Sequence, residues 1–200
     1  MVDIDIPEGA TGVVIFAHGS GSSRLSPRNR AVAQALNRAG LATVLFDLLT
    51  PEEAADRAKV FDIPLLTERL REAIGAVGDA EALSGARVGL FGASTGAAAA
   101  LCAAAEEGDK ICAVVSRGGR PDLAMDKLRD VTAPTLLIVG SLDGPVITLN
   151  ETALSQLRCD KRLEIVLGAG HIFEEAGTMD RVIELAAQWF THHLSGKGGA

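Results

Sequence analysis

The sequence predicts a doubly wound α/β domain, with a mostly parallel sheet and helices on both of its faces. Short apolar runs alternate with segments of helical periodicity along almost the whole chain. The runs are continuously apolar, which is typical of strands buried on both faces of a sheet. Parallel strands need crossover connections, and the intervening helices supply them. We see no internal repeat or linker, and we expect residues 1–194 to form one domain with a flexible tail at 195–200.

The first half of the chain contains three predicted strands and two predicted helices. The strands are expected at 11–18, 41–47 and 87–92, where apolar and β-branched residues are concentrated. The first helix is expected to begin at Ser26 and Pro27, because serine is a good N-cap and proline suits the first turn. Gly40 can end that helix. Before the third strand, the apolar residues from Leu66 to Val77 follow helical spacing.

The second half repeats the same cycle. Strands are predicted at 111–117, 135–141 and 162–168. Helical segments are predicted near 122–128, at about 146–157, and over a last stretch that carries Met179, Ile183, Ala186, Phe190 and Leu194. Six strands joined by helices therefore account for most of the sequence.

Composition narrows the classes of partner. The net charge is −7 and no long basic run is present, which argues against nucleic acid and anionic membranes. No apolar run reaches the roughly 20 residues of a membrane span, and the acidic N-terminus lacks a signal-peptide core, so we expect a cytoplasmic protein. Cys102, Cys112 and Cys159 show no metal-ligand spacing and are interpreted as reduced packing residues. A small-molecule partner is favoured, and the oligomeric state stays open.

A glycine-flanked serine marks the junction of the third strand and the following helix. In such sheets ligands bind outside the carboxyl ends of the strands, so residues there are the functional candidates. Gly92 to Gly96 fit the pattern G-x-S-x-G, whose sharp turn raises the serine hydroxyl above the sheet. The helix that follows favours developing negative charge at its N-terminus. Ser94 is therefore a candidate nucleophile, and the alternative is a plain turn with an N-capping serine.

A serine nucleophile needs a base, and His171 is the best placed histidine. It lies directly after the last strand and before the last helix, at the functional edge of the sheet. The histidines at 192 and 193 are expected at the end of the last helix, where a solvated role is more natural. His18 ends the first strand, where a hydrogen bond that holds a loop is its more natural role.

Asp143 is the candidate acidic partner of the base. It follows the preceding strand, although Asp-Gly-Pro also favours a simple turn. A carboxylate there would fix the tautomer of His171 and stabilise the imidazolium. Ser94, Asp143 and His171 each follow a separate strand in the order known for one class of serine hydrolases, and they predict a catalytic triad.

Two backbone amides are expected to bind the oxyanion of the tetrahedral intermediate. The Thr95 N–H lies at the start of a helix. The segment HGSGSSR at 18–24 can supply a second N–H, for which we favour Ser20; a flexible glycine-serine loop is the alternative.

Arg117 and Arg120 are possible substrate contacts, because a guanidinium binds a carboxylate bidentately. Structural pairing with nearby acids is the other interpretation of these arginines.

Six segments of the chain carry a family resemblance: HGSGSSR (18–24), SPRNR (26–30), FGASTGAAAAL (91–101), SRGGRPDLA (116–124), APTLLIVG (133–140) and GAGHIFEE (168–175). Together they resemble the small bacterial α/β-hydrolases grouped with dienelactone hydrolase. The resemblance implies an α/β-hydrolase core. A cap often lies in this family between the strands ending near 117 and beginning near 135, and the short connection here implies no sizeable cap domain. Similar domains also occur fused to phosphoribosyltransferases.

The expected activity is that of a carboxylesterase-like serine hydrolase acting through an acyl-enzyme on Ser94. The named dienelactone hydrolases use a cysteine nucleophile, whereas this chain has Ser94 at that position, so we expect an ordinary ester as the substrate. The absence of a sizeable cap and the few aromatic residues favour short acyl chains. The mechanism requires no metal or organic cofactor. The same triad would serve a perhydrolase or an acyltransferase. An alternative of a different class is a catalytically idle anion-binding protein.

Overall fold

A seven-stranded sheet forms the centre of the computed structural model, which describes residues 1–195. The strands are β1 (Val2–Asp5), β2 (Gly12–Ala17), β3 (Ala42–Phe46), β4 (Arg87–Ala93), β5 (Ile111–Arg117), β6 (Thr135–Gly140) and β7 (Lys161–Val166). They lie in the order β1-β3-β2-β4-β5-β6-β7. β1 runs antiparallel to β3, and every other neighbouring pair is parallel. The predicted fold class is confirmed.

Within residues 1–195, seven α-helices and three 3₁₀ segments connect the strands or follow the last one. The α-helices are α1 (Pro27–Arg38), α2 (Pro51–Ala54), α3 (Arg57–Val60), α4 (Ile63–Asp79), α5 (Thr95–Glu107), α6 (Gly144–Gln156) and α7 (Thr178–Leu194). The 3₁₀ segments are Glu81–Leu83, Gly108–Lys110 and Pro121–Asp130. As predicted, Ser26 caps α1 and accepts a hydrogen bond from the Asn29 N–H.

Two hydrophobic clusters cover the sheet, one on each face. The first joins α4 and α5 to the sheet, and the second joins α1 and α7 to the other face. Every residue of β2 and β6 is buried, which explains why these strands read as continuous apolar runs. All the alanines of α5 except the partly buried Ala105 are fully buried, because small side chains let this helix pack closely against the sheet.

Four elements differ from the sequence prediction. β1 was not predicted: it is a four-residue edge strand, mostly exposed, that pairs with β3. α2 and α3 lie between the second predicted strand and the helix of Leu66 to Val77, where no helix was predicted, and their single turns are too short for a periodic signal. The stretch expected to be helical near 122–128 is a 3₁₀ segment.

The connection between β5 and β6 spans only residues 118–134. It contains the 3₁₀ segment and no separate domain, in agreement with the expected absence of a sizeable cap. None of the helices within residues 1–195 combines the length and apolarity that crossing a membrane requires. Apart from Ser195, the tail expected to be flexible, 195–200, lies outside the described residues.

Candidate active site

Ser94 occupies a strained turn between β4 and α5. Its backbone angles are φ 51° and ψ −120°, in a region that residues other than glycine rarely adopt. Its N–H donates to the Arg117 carbonyl at 3.3 Å, and its own carbonyl accepts from Ala97 and Arg120 at 3.1 Å. The Ser94 side chain makes no capping hydrogen bond to α5. The capping role that was the alternative for Ser94 is therefore not observed.

The glycines on either side of Ser94 are required by close backbone contacts. A Cβ at Gly92 would overlap the main chain of Gly96 and Ala97. A Cβ at Gly96 would overlap the carbonyl oxygens of Ala17 and His18, at the end of β2. Neither obstacle is a side chain that could move aside. The glycines thus allow the chain to turn sharply while α5 approaches the sheet.

His171 and Asp143 form a hydrogen-bonded pair at the same edge of the sheet. The distance from His171 Nδ1 to Asp143 Oδ2 is 2.6 Å. The Asp143 side chain is 13% exposed and the His171 side chain 41% exposed. Asp143 precedes α6 but makes no side-chain cap to it, so its carboxylate is available to His171. When Nδ1 carries the proton toward Asp143, Nε2 is left as the free basic nitrogen.

The end of β5 lies between the nucleophile candidate and the histidine. Ser94 donates its N–H to Arg117, and the next residue, Gly118, lies against His171. A Cβ at Gly118 would be 2.9 Å from the His171 carbonyl oxygen and 3.7 Å from its Cε1. Within residues 1–195, no hydrogen bond joins the Ser94 hydroxyl to the His171 ring. Serine–base hydrogen bonds are often looser in unliganded enzymes.

The loop after β2 passes directly beside Ser94. A Cβ at Gly19 would be 2.8 Å from Ser94 Cβ, so only glycine fits this close approach. The next residue, Ser20, is exposed, and Thr95, which follows Ser94 directly, is buried. Of the two predicted oxyanion residues, Thr95 therefore lies in the turn itself, and Ser20 follows the glycine that approaches it. Gly19 itself was not singled out from the sequence.

His18 holds this loop against the loop that follows β3. Its Nε2 accepts the Leu48 N–H at 3.0 Å, and its Nδ1 lies 3.0 Å from the Gly19 carbonyl oxygen. This pair of contacts requires the neutral ring with the proton on Nδ1. Burial lowers the pKa of His18, partly offset by the Gly19 carbonyl and by Asp47. The hydrogen bond expected of His18 is thus observed.

Arg117 and Arg120, whose main chains hydrogen-bond to that of Ser94, have different surroundings. Arg120 donates from Nε and Nη2 to Asp122 at 2.8 Å each, and this pairing raises its pKa. Arg117 is only 9% exposed. Its Nη2 donates to Asn29 at 3.4 Å, and its Nη1 has no partner among the described residues. Burial, and to a lesser degree Arg28, lowers the pKa of Arg117 to about 10.

Pairing with an acid therefore describes Arg120 but not Arg117. Asn29 was missed from the sequence, although a signal existed. It shares the buried stripe of α1 with Val32, Ala33 and Leu36, where a polar residue must have a partner.

No group of three or more histidine, cysteine, aspartate or glutamate side chains within residues 1–195 is arranged to hold a metal ion.

Comparison with known proteins identifies relatives over nearly the whole chain. A family model described as an alpha/beta hydrolase domain matches residues 10–192. A dienelactone hydrolase from Anabaena variabilis is 55% identical and has a TM-score of 0.93, with 96% of this chain and 91% of that chain covered. Est1E from Butyrivibrio proteoclasticus has a TM-score of 0.83 at 15% identity, covers 97% of this chain and 94% of that chain, and shares the fold alone.

Curated relatives of greater length also match. Two proteins from Mycobacterium tuberculosis, each named "Putative phosphoribosyl transferase", are 54% identical over 195 residues. The match covers 98% of this chain and 44% of each relative. This chain therefore spans less than half the length of the curated relatives that it matches.

Proposed function

Because this chain belongs to the alpha/beta-hydrolase domain family, we propose that it is a serine hydrolase that cleaves small carboxylic esters. Residues 1–194 act as one catalytic domain, and Ser94, His171 and Asp143 form its triad. The observation that carries the proposal is the 2.6 Å contact between His171 Nδ1 and Asp143, since it orients a base at the edge where the strained turn raises Ser94. The unpaired cysteines fit the reducing cytoplasm, where we place the protein.

In the proposed mechanism His171 Nε2 takes the proton of the Ser94 hydroxyl as its oxygen attacks the ester carbonyl. The N–H groups of Thr95 and Ser20 stabilise the oxyanion of the tetrahedral intermediate. The imidazolium, held by Asp143, then protonates the leaving alcohol and an acyl-enzyme remains. A water molecule then gives up a proton to His171 and attacks the acyl carbonyl. The bond from the acyl carbon to Ser94 Oγ breaks, His171 returns the proton to Oγ, and the acid is released.

Labelling with a fluorophosphonate tests this mechanism directly. Intact mass and peptide mapping should show one adduct at Ser94 in the wild type, and none in Ser94→Ala or His171→Ala. A folded wild-type protein that is not labelled would contradict the proposal. The product ratio in the presence of peroxide or an alcohol acceptor distinguishes hydrolysis from perhydrolysis and acyl transfer.

Anion binding is a second candidate function, and the unpaired Nη1 of Arg117 favours it. A buried guanidinium without a carboxylate partner is a site where an anionic group gains a strong hydrogen bond. Within the hydrolase, Arg117 would contact an anionic substituent of the ester; Arg120, already paired with Asp122, is the weaker candidate contact. Calorimetry with succinate and inorganic phosphate tests this. Binding that survives Ser94→Ala, disappears in Arg117→Met and accompanies no ester turnover would favour an idle binding protein.

A further inference from the structure

We propose that Glu175 is a positioning residue, which anchors the main chain next to His171 so that the imidazole faces Ser94. The inference deepens the proposed function and rests on it. His171 lies on the loop of residues 167–177, between β7 and α7. Its ring is held by Asp143, but its own backbone N–H and carbonyl have no hydrogen-bond partner among the described residues. Its placement therefore depends on neighbouring residues.

Glu175 holds the main chain of the residue next to His171. Its Oε1 accepts the N–H of Gly170, the residue just before His171, at 3.0 Å. A Cβ on Gly170 would lie 2.9 Å from the same oxygen, so the carboxylate approaches this main chain as closely as glycine allows. Loss of this acceptor would free the peptide that leads directly into His171.

The main chain of Glu175 is itself fixed to a rigid element. The Glu175 carbonyl accepts the Thr178 N–H at 3.1 Å and the Thr178 hydroxyl at 2.6 Å, at the start of α7. On the other side of His171, Phe173 is fully buried with φ 57°, and its N–H donates to the Gly170 carbonyl at 3.4 Å. A chain of hydrogen bonds therefore links α7 to Glu175 and Glu175 to Gly170. On the other side of His171 in sequence, the buried Phe173 fixes the main chain.

Stability alone does not account for a carboxylate at this position. Glu175 Oε2 is shielded from solvent and accepts no hydrogen bond from any described residue. A buried carboxylate oxygen without a partner costs folding free energy that an apolar side chain of similar length would avoid. The adjacent Glu174 is exposed and makes no side-chain hydrogen bond or ion pair within residues 1–195. It is therefore a matched control for removal of one negative charge from the same loop.

The test compares Glu175→Gln, Glu175→Met and Glu174→Ala with the wild type. Gln keeps an acceptor oxygen for the Gly170 N–H, and Met keeps the length of the side chain without it. The rate of fluorophosphonate labelling at Ser94 should fall at least about tenfold in Glu175→Met, since a displacement of ~1 Å can cost ~100-fold. Glu175→Gln should stay within about threefold of the wild type, and Glu174→Ala should be unchanged, because the anchor is intact in both.

Proton NMR gives a readout that is independent of activity. The proton between His171 Nδ1 and Asp143 should resonate far downfield in the wild type and in Glu175→Gln, and should broaden or disappear in Glu175→Met. Normal labelling together with a retained resonance in Glu175→Met overturns the proposal, as does an equal loss in the Gln variant. If the wild type is not labelled at all, the hydrolase proposal fails, and the resonance alone decides the role of Glu175. Glu175→Asp, whose shorter side chain cannot reach Gly170 in the same way, replaces the Met variant if that variant does not fold.

Discussion

Replacing Arg117 with methionine should make the protein more stable. The guanidinium is 9% exposed, has no carboxylate partner in the described chain and lies near a second cation, Arg28. Methionine has a similar length and no charge, so it fills the same space without the cost of burying a cation. If Arg117 served only to stabilise the fold, its replacement would make the protein less stable.

The magnitude follows from the lowered pKa. At about 1.4 kcal/mol per pH unit, a fall of the Arg117 pKa to about 10 corresponds to roughly 3 kcal/mol of unfavourable free energy in the folded protein at neutral pH. The substitution also leaves the Asn29 side-chain oxygen without its donor, which costs about 1 kcal/mol. The expected net gain in the free energy of unfolding is about 1–2 kcal/mol.

Urea unfolding followed by circular dichroism measures this change through the transition midpoint at constant slope. Arg120→Met is the control. The ion pair between Arg120 and Asp122 is partly exposed, so removing it should lower the free energy of unfolding by at most about 1 kcal/mol. A fall of more than about 1 kcal/mol in the free energy of unfolding of Arg117→Met would refute the argument. It would mean that interactions in the folded protein compensate for the burial of the Arg117 charge.

Three further outcomes follow from the site. Gly92→Ala should lower the free energy of unfolding by about 1–3 kcal/mol or prevent folding, measured by urea unfolding, because its Cβ would overlap the main chain of α5. Asp143→Asn should lower kcat about 10³- to 10⁴-fold with the fold intact, since it removes the carboxylate that orients His171; unchanged kcat would exclude Asp143 from the triad. The melting temperature should fall as the pH drops below about 6.5, because the folded state holds His18 neutral with a lowered pKa and protonation favours unfolding; His18→Gln should flatten this dependence.

The order of strands and helices was predictable because each element carries a local pattern. β2 and β6 are buried along their whole length, so their sequences are continuously apolar. The turn at Ser94 was also predictable, since the glycines that permit it lie two residues away on either side. By contrast, β1 is an exposed edge strand that pairs with β3, so it shows no run of buried residues.

The constraints around the site could not be predicted in the same way. The contact between Asn29 and Arg117 joins residues 88 positions apart, and nothing in the sequence around either one indicates that Arg117 lacks an acid. The Glu175 contact with Gly170 is local, but it depends on a loop conformation in which Phe173 has a positive φ. Such a conformation is unexpected for a phenylalanine.

The position of β7 at the edge of the sheet has a consequence for how activity is lost. The proposed nucleophile follows the central strand β4, whereas the proposed base, His171, follows the edge strand β7, which pairs with β6. Edge elements with exposed residues open locally at a lower free energy than the core does. Mild heat or denaturant should therefore displace His171 while Ser94 stays in its strained turn, so that any loss of activity comes before unfolding and reverses on return to native conditions.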